Sequence, residues 1–184
     1  MNLTLENITG LAPEIQAKWS ELLVGLRQMG SAAVAFSGGV DSGLLSAAAG
    51  YVLGERAVAV TIYSPVNVAG EAEAAVALAA QIGLKHLIVE YNDLENPDFV
   101  ANPPDRCYHC KLARFTTLLN YAREHHIDYV LEGTNADDGA DYRPGMRAVE
   151  ELGVRSPLAE VGLKKGEIRQ LAQAIGLPSW NRPS

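Results

Sequence analysis

Strand patterns alternate with helix patterns along this 184-residue chain, and the alternation constrains the fold more than any other feature. The predicted strands are short apolar runs such as AVAVTIY, which is apolar on both faces like a buried parallel strand. They cover residues 32–36, 57–63, 85–91 and 128–134. The first predicted helix begins at Pro13, and the later ones cover residues 41–53, 71–83, 108–126 and 164–176. This order predicts an α/β fold, a doubly wound parallel sheet with helices on both faces.

The loops that follow the strands indicate where a ligand would bind. Doubly wound sheets bind ligands outside the carboxyl ends of their strands, near the point where the strand order reverses. We therefore expect the loops 37–42, 64–70 and 134–143 to surround one crevice. The segment 92–106 contains three prolines and is longer than a simple connection, as is typical of lids and of disordered segments.

Composition excludes several classes of protein. A hydrophobic content of 48% is typical of a globular domain, and the length suits a single one. A net charge of −7 disfavours a nucleic-acid partner, because phosphate neutralisation dominates that binding. No apolar run is long enough for a membrane span and no secretory signal is recognisable, so we expect a cytoplasmic location without a membrane partner. Residues 142–184 hold seven basic and four acidic groups, which suits a local anionic ligand or a solvated surface.

The hexapeptide SGGVDS (37–42) joins the first predicted strand to the next helix. Two glycines allow close backbone approach, and the following helix offers N–H groups and a positive dipole end. A plain tight turn is the structural alternative. No Lys-Ser or Lys-Thr follows the glycines, and no G-x-G-x-x-G occurs here, so neither common nucleotide motif applies.

SGGVDS and the downstream block SPLAEVGLKKGEIRQLAQAIGLP (156–178) resemble the PP-loop superfamily of adenine-nucleotide α-hydrolase-like enzymes. That superfamily includes GMP synthetase, NAD synthetase and tRNA-thiolating enzymes. The resemblance implies a Rossmann-like ATP pyrophosphatase fold that uses ATP and Mg²⁺. It also implies cleavage of ATP between the α and β phosphates.

Three further stretches, PDRCYHCK (104–111), EGTNADDGADYRPG (132–145) and WNRPS (180–184), are similar to ATP-dependent sacrificial sulfur transferases. Those enzymes build the nickel-pincer cofactor of lactate racemase. The similarity implies adenylation of a pyridinium carboxylate mononucleotide, displacement of AMP by sulfur to leave a thiocarboxylate, and a homo-oligomer. Family members continue into a segment with a third cysteine and a smaller domain. Residues 1–184 therefore match the PP-loop domain, and we expect the sulfur donor to lie outside them.

The resemblance also assigns roles to individual residues. Those assigned to ATP and pyrophosphate are Ser37, Gly38, Gly39, Asp41, Ser42, Ser64, Gly133 and Thr134. Asp41, Lys111 and Arg143 are the catalytic candidates, and Arg143 and Arg147 are the candidates for binding the second substrate. Asp138 is a candidate magnesium ligand. Structural alternatives remain open: a helix cap for Asp41, a solvated loop acid for Asp138, an exposed lysine for Lys111 and surface salt bridges for the arginines.

Cys107 and Cys110 are the two cysteines, spaced C-x-x-C at the start of a predicted helix. A structural disulfide does not suit the cytosol. A thioredoxin-like redox pair suits a helix N-terminus, but in that fold the motif directly follows the first strand, which is not the order here. A zinc site would need distant ligands such as His86, His125 or His126. The family resemblance implies a [4Fe-4S] iron–sulfur cluster held by this pair and the third cysteine.

Other functions also fit the sequence. A PP-loop amide-forming synthetase and a tRNA thiolase share the glycine loop, although the acidic charge disfavours tRNA. A module that binds AMP or ATP without turnover is the non-enzymatic alternative.

Overall fold

A computed structural model describes residues 5, 8–67, 70–138 and 144–181. In this part of the chain, four parallel strands form one sheet in the order β3-β2-β1-β4. The strands are β1 (Ala32–Ala35), β2 (Ala57–Tyr63), β3 (His86–Glu90) and β4 (Tyr129–Leu131). Ala33 of β1 is in register with Val58 of β2 and Val130 of β4.

Helices connect the strands. They are α1 (Pro13–Gln28), α2 (Val40–Leu53), α3 (Glu71–Ile82), α4 (Pro97–Val100), α5 (Arg106–Glu124), α6 (Pro144–Glu151), α7 (Pro157–Glu160) and α8 (Lys165–Ala174). Short 3₁₀ turns cover Gly54–Arg56 and Asp93–Glu95. Among the described residues, no helix is both long and apolar enough to cross a bilayer.

Both faces of the sheet are covered, because successive side chains of a strand point to opposite faces. Ala32 and Val34 of β1 belong to a core shared with α1, α2, α3 and α8. Ala33, between them, belongs to a second core with Phe115 and Leu118 of α5. The predicted doubly wound α/β fold is confirmed.

The structure differs from the sequence prediction in the connections. β4 ends at Leu131, three residues before the predicted end. The Glu132 N–H instead donates to the Arg155 carbonyl at 2.9 Å, so the chain leaves β1 there. Helices α4, α6 and α7 were not predicted, since each is short and begins at a proline.

The order of the strands in the sheet indicates where a ligand-binding crevice lies. β1 lies between β2 and β4, although β4 is the last strand in sequence, so the order reverses beside β1. The loops after β1 and β4 are therefore neighbours at the carboxyl edge of the sheet, where such folds bind ligands.

Candidate functional site

The loop after β1 is held by its own serines. Ser42 Oγ accepts from the Ser37 N–H at 3.2 Å and lies 3.0 Å from Ser37 Oγ. Ser37 Oγ in turn accepts from the Gly39 N–H at 3.3 Å. Gly38 has a φ of +77°, a conformation that favours glycine, and it lies against the backbone of Ala75 in α3. The sequence Ser-Gly-Gly thus forms a compact, ordered turn at the start of α2.

Helix α2 begins directly at this turn. Gly39 is its N-cap residue, without a side-chain cap, and the first intrahelical bond runs from the Gly43 N–H to the Gly39 carbonyl at 2.9 Å. The N–H groups of the residues before Gly43 lie ahead of this first intrahelical hydrogen bond, so they have no carbonyl partner within the helix, as at every helix N-terminus. They and the helix dipole favour an anion at this end.

Gly133 brings the loop after β4 onto the same helix end. A Cβ at Gly133 would lie 3.0 Å from the Ser42 amide nitrogen, closer than real Cβ atoms normally come. The absence of a side chain therefore lets β4 and α2 meet. The structure brings together Ser37, Gly38, Gly39, Asp41, Ser42, Gly133 and Thr134 of the predicted set.

Asp41 lies in the first turn of α2 and pairs with Lys165, in the first turn of α8. The pair uses Asp41 Oδ2. Asp41 Oδ1 is buried and has no hydrogen-bond partner among the described residues. Because Gly39 is the N-cap residue, capping does not account for Asp41. The unpaired oxygen is suited to an added cation.

Glu132 is a buried carboxylate at the end of β4, with a side chain only 8% exposed. Its Oε1 accepts from the Thr134 N–H at 3.1 Å and from the Ser156 hydroxyl. Its Oε2 accepts from the Thr134 hydroxyl at 2.7 Å and lies 3.9 Å from Lys111 Nζ. Glu132 thereby fixes Thr134 and gives Lys111 an anionic partner.

Two cavities open above β1. One of about 350 Å³ lies over β1 and β2, and its lining includes Thr61, Tyr63, Lys111 and Arg114. The other, about 260 Å³, lies between β1 and β4, and its lining includes Asp41, Glu132, Gly133, Thr134 and Asp138. Ala35, Ser37 and Phe115 line both cavities. The two cavities therefore meet at the glycine loop.

Asp138 lies at the rim of the smaller cavity, in a turn held by neighbouring side chains. Its Oδ2 accepts from the Asn135 N–H at 3.1 Å, and Asn135 Oδ1 accepts from the Asp137 N–H at 2.9 Å. Asp137 Oδ2 then accepts from the Lys165 N–H at 2.8 Å. The acidic turn is thus attached to the start of α8.

Ser64 lies just beyond β2 and is fully buried. Its Oγ accepts from the Asp93 N–H at 3.3 Å, and its own N–H donates to Asn67 Oδ1 at 2.9 Å. The hydroxyl therefore stabilises the loop after β3. Contact of Ser64 with a nucleotide through the backbone stays a prediction.

Asp93 is the centre of a buried cluster beside the larger cavity. Arg114 donates to Asp93 through Nη2 at 2.5 Å and Nε at 3.3 Å, and Cys110 Sγ donates to Oδ1 at 3.6 Å. Burial is the largest single influence on the pKa of Asp93 and raises it, but the hydrogen bonds from Arg114, Ser64 and Cys110 and the charge of Arg114 together lower the pKa overall. Burial is also the largest cause of the raised pKa of Cys110.

The two cysteines lie in the first turns of α5 and are free thiols, Cys107 exposed and Cys110 half-buried. Within residues 5, 8–67, 70–138 and 144–181, no three His, Cys, Asp or Glu side chains come together to hold a metal. His125 follows Cys110 by 15 positions, at the far end of α5, so a straight helix separates them by about 22 Å. His86 is on β3, with Nε2 2.8 Å from Thr61 Oγ1. The zinc sites considered from the sequence are therefore not formed by these residues.

Of the two arginines expected to bind the second substrate, the structure describes one. Arg143 lies outside the described residues. Arg147 lies on α6, 57% exposed, with Nε 3.3 Å from Glu151 Oε1 and its guanidinium over the Tyr108 ring. The structure thus places Arg147 in a surface ion pair, and its contact with a substrate stays a prediction.

Sequence reasoning missed three residues at the site: Glu132, Ser156 and Lys165. Each contributes through a partner distant in sequence, such as Asp41, 124 positions before Lys165. All three lie inside stretches that the resemblance had singled out, but no local pattern predicts which residues they pair with.

Comparisons with known proteins identify the family and the fold of the chain. A family model described as asparagine synthase matches residues 25–141. An uncharacterized protein of Synechocystis sp. is 44% identical over 170 residues, which are 92% of this chain and 63% of that protein. The pyridinium-3,5-bisthiocarboxylic acid mononucleotide synthase of Lactiplantibacillus plantarum is 34% identical over 169 residues, which are 91% of this chain and 61% of that protein. The chain thus spans about three-fifths of the length of these relatives.

Solved structures show the same fold. The NMN synthetase of Francisella tularensis superposes with a TM-score of 0.72 at 18% identity, covering 92% of this chain and 75% of that one. A tRNA thiolase of Methanococcus maripaludis, solved with its [4Fe-4S] cluster, gives a TM-score of 0.65 at 18% identity, covering 92% of this chain and 68% of that one. The crevice described above therefore lies in a fold that synthetases and a thiolase share.

Proposed function

The chain belongs to the asparagine synthase family, and on that premise we propose that it binds Mg·ATP and adenylates a substrate carboxylate, releasing pyrophosphate. The observation that carries the proposal is the meeting of two cavities at Ser37, directly above the N-terminus of α2. A nucleotide in one cavity and a carboxylate in the other would share this anion-binding end.

The larger cavity suits the adenosine half of ATP. Phe36, Phe115 and Leu118 supply apolar walls, and Thr61 and Asn67 supply polar edges. Most small-molecule sites combine an apolar lining with a few placed polar groups. The pyrophosphate half would lie on the Ser37–Ser42 turn, with Lys111 and Lys165 nearby.

The residues at the smaller cavity fit a magnesium ion. Mg²⁺ usually takes one or two protein carboxylates and completes its shell with phosphate oxygens and water. Asp41 offers a buried oxygen without a partner among the described residues, and Asp138 lines the same cavity. When bound, the ion would neutralise charge on the phosphates. Lys165 keeps the second Asp41 oxygen occupied, so that Oδ1 is the one available.

The proposed reaction begins with attack of a carboxylate oxygen on the α-phosphorus. The bond from that phosphorus to the bridging oxygen breaks, and pyrophosphate leaves with the electron pair. Lys111 and the α2 N–H groups would stabilise the charge that develops on the phosphates. The product is an acyl adenylate, whose AMP is a far better leaving group than the original oxygen.

We further propose that the carboxylate belongs to a pyridinium dicarboxylate mononucleotide and that a sulfur nucleophile then displaces AMP. The 34% identity to the Lactiplantibacillus plantarum synthase supports this substrate class. Hydrosulfide, as the co-substrate, attacks the carbonyl carbon, the bond to the AMP oxygen breaks and AMP leaves with the electron pair. Loss of the sulfur-bound proton then gives the thiocarboxylate.

Cys107 and Cys110 by themselves do not fit an iron–sulfur cluster. Such clusters take about four thiolate ligands. Residues 1–184 hold two cysteines, and the Cys110 thiol donates a hydrogen bond to Asp93. Residues 1–184 by themselves therefore contribute no step through a cluster to the proposed reaction.

Product analysis tests the proposal. We expect the chain, incubated with Mg·ATP and the pyridinium dicarboxylate mononucleotide, to give AMP and pyrophosphate in ³¹P NMR spectra. Asp41→Asn should lower the rate at low Mg²⁺, while Lys164→Met, an exposed change beside Lys165, should not. Formation of ADP and orthophosphate would contradict the proposed bond cleavage.

A further inference from the structure

The side chain of Lys111 crosses α6 at a glycine. A Cβ built on Gly145 would lie 2.8 Å from Lys111 Cδ and 3.3 Å from Cε. It would also lie 3.5 Å from the Cys107 carbonyl oxygen, in the first turn of α5. Gly145 is buried and occupies the second position of α6. The lysine stem therefore fills the space that any other residue at 145 would need.

The charged end of the same lysine points toward a fixed partner. Lys111 Nζ lies 3.9 Å from Oε2 of Glu132. Glu132 cannot follow a displaced lysine easily, because Thr134 and Ser156 already hold both of its oxygens. Lys111 lines the larger cavity and Glu132 lines the smaller one, so the pair spans the junction between them.

We infer that Gly145 is a positioning residue, which keeps Lys111 extended toward Glu132 so that its ammonium group lies where the two cavities meet. The inference rests on the proposed function, which places phosphates at that junction. A methyl group at 145 would collide with the flexible lysine stem rather than with backbone. It should therefore move the ammonium group without unfolding the chain.

The variants Gly145→Ala, Lys111→Met and their double combination test the inference. The probe is α,β-methylene-ATP with Mg²⁺, measured by titration calorimetry. We expect each single change to weaken binding about tenfold, as for one lost hydrogen bond to a charged group. The double variant should bind like Lys111→Met alone, because Gly145 acts through the lysine. Wild-type affinity in Gly145→Ala, or losses that multiply, would overturn the inference.

Gly25→Ala is the matched control. Gly25 is also within a helix, α1, and a Cβ there would meet nothing within 4 Å. We expect wild-type binding from this variant. Gly25→Ala should melt at or above the wild-type temperature, since alanine favours helix over glycine, and Gly145→Ala should remain folded at the temperature of the titration.

A second measurement does not need a nucleotide. Reductive ¹³C-methylation gives each lysine an NMR signal, and the signal of Lys111 is the one that is lost in Lys111→Arg. This signal should shift in Gly145→Ala and stay in place in Gly25→Ala. An unmoved signal in Gly145→Ala would overturn the inference. Failure of the wild-type chain to bind the nucleotide analogue would contradict the proposed function, and the lysine signal would still decide the role of Gly145.

Discussion

Lys165 and Asp41 form an ion pair that joins the first turns of two helices across 124 positions of sequence. The Lys165 N–H also donates to Asp137, so the start of α8 contacts both the loop after β1 and the loop after β4. Three segments distant in sequence are thereby fixed around one crevice.

Lys165→Met should weaken binding of Mg·ATP about tenfold or more. The change removes a positive charge beside the phosphate turn and leaves Asp41 without its cation, so the carboxylate repels the phosphates. Titration calorimetry measures the effect. Lys164→Met removes the same charge from an exposed neighbour and should bind normally. Equal losses in both variants would show that only overall charge matters.

Glu132→Ala should lower the free energy of unfolding by about 2–4 kcal/mol, because it leaves the donors of buried Thr134 and half-buried Ser156 without their acceptor. Urea denaturation measures the change. Glu150→Ala, at an exposed position of α6, should cost far less. A loss below about 0.5 kcal/mol for Glu132→Ala would mean that these hydrogen bonds contribute little.

The sequence was sufficient for the sheet because the strands are apolar on both faces, as Ala32 and Ala33 illustrate by entering different cores. The glycine loop could be predicted for a similar local reason, since Ser37 and Ser42 bond within one turn. The Asp41–Lys165 and Glu132–Ser156 pairs could not be predicted. Asp41 and Lys165 are 124 positions apart in sequence, and Glu132 and Ser156 are 24 positions apart. Long-range side-chain pairing has no periodic signal in a single sequence.

Stability should depend on pH through Asp93. The pKa of Asp93 is lower in the folded chain than in the unfolded chain. Its contribution to the free energy of unfolding is therefore fully present above the unfolded pKa of about 3.9, and it is lost as the pH falls through the lower pKa of the folded chain. Asp93→Asn should therefore be less stable than wild type from pH 5 to 7, and the difference should shrink below about pH 4. Glu73→Gln, at an exposed position of α3, is the control. A difference that is independent of pH would argue against the Asp93–Arg114 ion pair.

The two thiols should react at different rates. Cys107 is exposed, whereas burial raises the pKa of Cys110 and its thiol donates to Asp93. At pH 8 we expect iodoacetamide to modify Cys107 at least about tenfold faster, because the thiolate is the reactive form. Mass spectrometry over time measures both rates. In urea the rates should converge, and equal rates in the folded chain would contradict the buried position of Cys110.

Exchange of radiolabelled pyrophosphate into ATP tests the central claim most directly. The exchange requires reversible adenylation and no sulfur donor, so it isolates the step assigned to the crevice. We predict exchange that depends on both Mg²⁺ and the pyridinium dicarboxylate mononucleotide and that falls at least about tenfold in Lys165→Met. Absence of exchange in a folded chain that binds Mg·ATP and the mononucleotide would contradict carboxylate adenylation at this site.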